Sequence, residues 1–270
     1  MAFAQAAGWG NPPFAQPTSY NANAQLSCTK NDLFPEDQVY GLRILHTPQN
    51  ASTGDIIFLH GLTGNSYDTW TSRKGVYWPT ELLTNDFPNV RIMAFGYDAD
   101  VTRLLGPVSK NNSAEAHERQ LHDRTITIAF CGTPHRGSGI ASFATSVAHN
   151  LKAAHKRVNT DILALLKRDS EVLAEIDAMF SVWLRKKGKK FTLTCFSEEH
   201  ELPGVVGKES SKIGGYPQYS IPANHMDMVR FNSQEDIGYR RIKGELQRWI
   251  RDGFTGERST LQVEPCKNCY

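Results

Sequence analysis

Four short apolar runs, each stopping at a glycine or a polar residue, constrain this chain more than any other feature. They are DIIFLHG (55–61), RIMAFGYDAD (91–100), TITIAFCGTPHRGS (125–138) and FTLTCF (191–196). Continuous apolar runs this short belong to strands buried on both faces of a parallel sheet, whose carboxyl ends carry the functional residues. A fifth run, GLRILH (41–46), alternates apolar and polar residues as a half-buried strand does.

Helical patterns separate the runs. SAEAHERQLHDR (113–124) opens with Ser113 at an N-cap position and glutamates in its first turn. Residues 160–187 read as one or two amphipathic helices, with Asp169 or Ser170 capping the second and Arg185, Lys186 and Lys187 at its negative end. EDIGYRRIKGELQRWIRDG (235–253) predicts a last helix stopped by Gly253. Strands alternating with helices predict an α/β domain over 40–253, a mostly parallel sheet flanked by helices.

Both flanks differ from this domain. Residues 1–29 hold no Asp, Glu, Lys, Arg or His, and prolines and polar residues interrupt them every few positions. They lack the positive start and apolar core of a secretory signal and the arginines of a mitochondrial presequence. Residues 1–39 are therefore expected to be a disordered leader, or a segment that orders on meeting a partner, and 254–270 a flexible tail. Lys plus Arg number 30 against 28 acidic residues, a net charge of +2 that gives no basic surface on which to expect nucleic acid. No run reaches the ~18 apolar residues of a transmembrane helix. Five cysteines are an odd number for a disulfide framework, so a reducing, cytoplasmic setting is expected. Cys266 and Cys269 have half the spacing of a zinc site, but Cys28, Cys131 and Cys195 form no second pair, so free tail thiols rather than a metal site are expected.

Three places carry residues suited to acyl chemistry. At the end of the first buried run, His60 and Gly61 lead into Leu62, either as a simple strand-ending turn or as one whose glycines would bring backbone N–H groups close to a substrate carbonyl. His225, in ANHMDM before the last helix, has the side chain best suited to take and return a proton near neutrality. Glu198, with Glu199 as the alternate, follows the FTLTCF run and precedes the histidine, where a carboxylate would fix the imidazole tautomer. His135 and Arg136 in GTPHRGS are read as parts of a structural turn.

Taken in order, GLRILHTP, DIIFLHGLTGNSYDTW, FGYDADV, IAFCGTPHRGS, FTLTCFSEE and ANHMDMVRF resemble the α/β-hydrolase domain of the serine active site-containing protein family, and more distantly the GPI inositol-deacylase-like lipases. The resemblance implies an ester or lipid hydrolase without a cofactor. It implies His225 as catalytic histidine, Glu198 as its acid and Gly61 and Leu62 as the oxyanion loop. It also implies association with endoplasmic reticulum or mitochondrial membranes, and for some members a place in larger signalling proteins.

One block is missing. The serine of such enzymes sits in G-x-S-x-G on a strained turn between a strand and a helix. No two of the 21 glycines stand four positions apart. Only residues 102–112 separate Val101 from Ser113, where the resemblance implies the elbow strand and its helices. A single crossover needs a dozen or more residues. Ser66 and Ser138 lie on no elbow. The expectation is a hydrolase-like sheet without its central elbow strand, inactive as written, in which the strands ending at His60 and Cys131 either pair directly or leave a break. The alternatives are an interaction or signalling module on the same scaffold, and a splice or gene-model variant of a working esterase.

Overall fold

The computed structural model describes residues 2–6, 40–61, 64–97, 124–133, 135, 170–188, 191–200 and 211–255. In chain order the elements are β1 (Ala2–Ala6), β2 (Gly41–His46), β3 (Asp55–Leu59), α1 (Trp78–Glu81), α2 (Leu83–Asp86), β4 (Arg91–Gly96), β5 (Thr125–Cys131), α3 (Ser170–Lys187), β6 (Thr192–Glu198), β7 (Gln218–Ile221) and α4 (Ile237–Thr255). The strands form one sheet in the order β2-β4-β3-β1-β5-β6-β7.

The buried runs became strands as their composition requires. All of Asp55–Phe58 in β3 is buried, and so are Leu193–Phe196 in β6. β5 sorts its residues by face: Ala129 and Cys131 enter the larger core, while Ile128 and Phe130 pack on the other side. The larger core lies under α1, α2 and α4. Trp78 is its hub, with ring centroids 5.1 Å from Phe58 and Phe231 and 5.9 Å from Tyr239. α4 enters it through Tyr239, Ile242, Leu246 and Trp249, spaced three and four apart so that they share one stripe. On the opposite face Phe180, Trp183 and Leu184 of α3 cover Phe191, Leu193 and Cys195. A sheet between two helical layers is an α/β architecture.

Two expectations are corrected at the centre of this sheet. Ala2–Ala6, expected to lie outside the fold in a disordered leader, is the middle strand. β1 runs antiparallel between β3 and β5, with Phe3 opposite both Phe58 and Ala129 and Ala4 opposite both Ile57 and Ile128. The strands ending near His60 and at Cys131 thus neither pair directly nor leave a break. The backbone groups that their separation would orphan, at ~1–3 kcal/mol each when buried, meet partners in β1. The sheet is also not mostly parallel: among the described strands three pairings are parallel and three antiparallel. β3, β4, β5, β6 and β7 share one direction, and β1 and β2 oppose it.

Residues 113–123 of the helix expected over 113–124, the eleven residues 102–112, the rest of the leader, and Cys28, Cys266 and Cys269 lie outside the described residues. Among those described, no helix is long and apolar enough to cross a membrane.

Candidate functional site

Because five strands share a direction, the loops after β3, β4, β5, β6 and β7 gather at one edge of the sheet. That edge is where an open α/β sheet binds its ligands. The β6–β7 pairing continues past the strand ends: Glu199 donates its N–H to the Ile221 carbonyl at 2.9 Å and His200 to the Ala223 carbonyl at 3.2 Å. This brings the end of β6 beside the turn holding residue 225. Asn224 shapes the turn, its Oδ1 accepting the N–H groups of Met226 (2.9 Å) and Asp227 (3.1 Å).

The result is a close pair. His225 Nδ1 lies 3.4 Å from Glu198 Oε1, with the two side chains 10% and 1% exposed. That is a close polar contact, longer than the 2.7–2.9 Å of a fully formed charge-assisted hydrogen bond. Neither carboxylate oxygen of Glu198 has a hydrogen-bond partner, and its close polar neighbour is the His225 ring. Glu199, the alternate, points elsewhere. It accepts hydrogen bonds from Ser220 Oγ (2.6 Å) and Arg241 (2.8 Å), and these hold its carboxyl below the usual range.

Gly132, just past β5, is the seat of the histidine. Its φ is +60°, and a Cβ there would stand 2.8 Å from both His225 Nδ1 and Met228 Sδ. Only glycine combines that backbone with that approach. The sequence offered a signal, the first glycine of GTPHRGS directly after a strand, but not its purpose. The turn is also tied to the segment after β3. Trp78 Nε1 donates to the Val229 carbonyl at 2.8 Å, and Arg73 reaches Asp227 at 2.6 Å.

His60 stands apart from this pair as a locked, neutral imidazole. Its Nε2 accepts the Tyr97 N–H at 3.2 Å, which leaves the proton on Nδ1 to donate to the Gly61 carbonyl at 2.9 Å. The ring stacks on Tyr97 at 4.2 Å, and burial lowers its pKa. The Gly61 carbonyl also accepts the Gly64 N–H at 3.1 Å, closing the turn after β3. Leu62, the second oxyanion residue expected, lies outside the described residues.

No described residue at this edge has the setting of a nucleophile. Ser66 is 2% exposed within the turn after Asn65, and Ser138 is not described. Burial pushes the Cys131 thiol up to about 12 and the Cys195 thiol up to about 11, so both are inert near neutrality. The described residues contain no cluster of His, Cys, Asp or Glu fit to hold a metal ion. What the arrangement offers chemically is a carboxylate and an imidazole, the two parts of a general base.

Among known proteins this chain is similar to Protein SERAC1 of Bos taurus, 21% identical over 305 positions that take in 87% of this chain and 44% of that protein. Protein SERAC1 of Homo sapiens is 20% identical across 76% of this chain and 40% of its own length, and that of Danio rerio 22% identical across 91% and 46%. The chain spans less than half the length of these relatives. No family model and no solved structure matches it. The match is gapped: 87% of 270 residues is about 235, so about 70 of the 305 aligned positions in total face no residue here. The Danio rerio match gives about the same, 91% of 270 being about 246 against 320 positions.

Proposed function

We propose that residues 40–253, with β1 completing their sheet, are a serine esterase- or lipase-like α/β-hydrolase domain that has lost its nucleophile segment and does not turn over. The observation that carries this reading is the buried His225–Glu198 contact of 3.4 Å beside Gly132, at the sheet edge where acyl chemistry would take place. Its two members occur in the chain order that a hydrolase triad follows. In the working form His225 takes the proton of an attacking serine, Glu198 holds the imidazole in the right tautomer, and the N–H of Leu62 supports the oxyanion. Here the base remains, and no described residue supplies the hydroxyl. Removing a triad nucleophile lowers turnover on the order of 10⁶-fold, which leaves a rate close to that of the background.

Kinetics with a short-chain aryl ester test the reading. The expected result is hydrolysis at the rate of buffer plus an inert protein, unchanged in His225→Ala. A rate well above that background which falls with His225→Ala would overturn the claim of inactivity.

A second reading has a specific observation in its favour: the chain derives from a reading frame that lacks one segment of a working esterase. The unmatched positions, about 70 in total in each of the two relatives, would be enough for a strand, an elbow and two helices if they fell together. Genomic sequence around codons 102–112 discriminates. An in-frame segment encoding G-x-S-x-G supports the derivation, and an uninterrupted locus excludes it.

A further inference from the structure

We infer that the carboxyl end of α3 is a docking surface for an anionic lipid membrane. Five of the six positions 185–190 are cationic: Arg185, Lys186, Lys187, Lys189 and Lys190. The chain as a whole carries only +2, so the rest of it is net acidic. After Asp177 the helix has no acid. Arg185 and Lys186 are exposed, and no carboxylate among the described residues pairs with either. Lys187 serves the fold: its Nζ donates to the Thr125 carbonyl at 3.1 Å and stands 5.5 Å from the centre of the Trp183 ring. The helix dipole favours cations in the last turn, but its effect falls off within that turn, which Gly188 closes at φ +64°. It therefore does not explain the lysines at 189 and 190. Like charges this dense repel one another until a polyanion meets them.

The apolar residues beside the cations decide which polyanion. Met179 is 65% exposed and Val182 42%. Met179, Val182 and Lys186 are spaced three and four apart, so they share one side of α3, turned away from Phe180, Trp183 and Leu184 on the sheet side. Apolar side chains next to exposed cations gain from the boundary between headgroups and acyl chains, while a nucleic-acid backbone leaves them in water. Nor is there a platform for bases: Trp183 packs on Phe180 and Phe191, with ring centroids 5.5 and 4.7 Å away. The surface is also remote from the candidate site. β6 starts beside this end of α3 at Thr192 and reaches the site at Glu198, a run of about 20 Å at ~3.3 Å per residue. A membrane held here anchors the domain by the edge opposite His225.

Sedimentation of the full chain with vesicles tests this. The chain is expected to pellet with phosphatidylcholine vesicles containing one third phosphatidylserine and to stay in solution with phosphatidylcholine alone. Salt of about 1 M, where the screening length falls to about 3 Å, should release it. Arg185→Gln combined with Lys186→Gln should lower the partition about 25-fold, each cation being worth roughly fivefold at an anionic leaflet. Met179→Ser combined with Val182→Ser should weaken vesicle binding about tenfold or more and leave binding to heparin, a polyanion without acyl chains, unchanged. All four substitutions lie on the solvent side of α3, so the urea transitions should match the parent's. Failure to pellet with the anionic vesicles, equal binding to neutral ones, or a glutamine variant that binds like the parent overturns the inference. Serine variants that bind vesicles as tightly as the parent would reassign the surface to a polyanion other than lipid.

Discussion

The two halves of the candidate site differ in how they are made. On the β6–β7 side, acid and histidine are held by the packing of a domain core: Glu198 ends a buried strand, His225 rests on Gly132, and Trp78 anchors the next turn through Val229. At the centre of the sheet, where a nucleophile strand would point its carboxyl end at the histidine, β1 runs the other way. A strand of reversed direction satisfies the backbone of β3 and β5 equally well but presents no elbow at the site edge. Hydrogen bonding asks only that a strand be there, while catalysis asks which way it runs.

The largest expected effect comes from attacking the replaced half. Ala4→Pro removes an N–H and adds a ring in a strand bonded on both sides, where proline is not tolerated. It should cost about 3 kcal/mol or more, seen as loss of a cooperative urea transition. A variant as stable as the parent would remove β1 from the sheet. On the built half, Gly132→Ala forces a Cβ against His225 and Met228 at a φ of +60°. It should cost about 2–3 kcal/mol by the same measurement.

Acid sensitivity separates the site loops further. Burial lowers the pKa of His135 to about 4 from 6.5, and the ring packs edge-on against Phe130 at 4.6 Å. The unfolded chain therefore binds the proton first as pH falls. The associated stability is complete above pH 6.5, declines down to about pH 4 and is level below it. Partial exposure reduces the loss to about 2 kcal/mol. His135→Phe should flatten stability against pH across that window, and an unchanged slope would show that other groups carry it. The smallest effect is expected from Glu198→Gln. Burying a carboxylate without a hydrogen bond costs free energy, so the amide should be neutral or stabilising by about 1 kcal/mol. A loss of more than about 2 kcal/mol would make the pair a structural one.

How much of this was legible in the sequence follows from where each element draws its stability. β3, β4, β5 and β6 announce themselves because strands buried on both faces must be apolar along their length. α4 was visible from its apolar stripe. β1 was not: Ala-Phe-Ala-Gln-Ala has no β-branched residue and no long apolar run, and two flanking strands supply its pairing. β7 was hidden for a similar reason, as a four-residue strand whose first two residues are exposed. Within the site, chain order marked Glu198 and His225, but only the register of β6 on β7 separates Glu198 from Glu199. The lock on His60 depends on Tyr97, 37 positions away, and no spacing rule reaches that far.

The central proposal is that His225 and Glu198 form a general base for which no described residue offers a hydroxyl to activate. Incubating the intact protein with a fluorophosphonate probe and weighing it by mass spectrometry tests that most directly. The account predicts an unmodified chain after an exposure that labels a working serine hydrolase to completion. One probe per chain on a serine, lost when His225 is replaced by alanine, would contradict it.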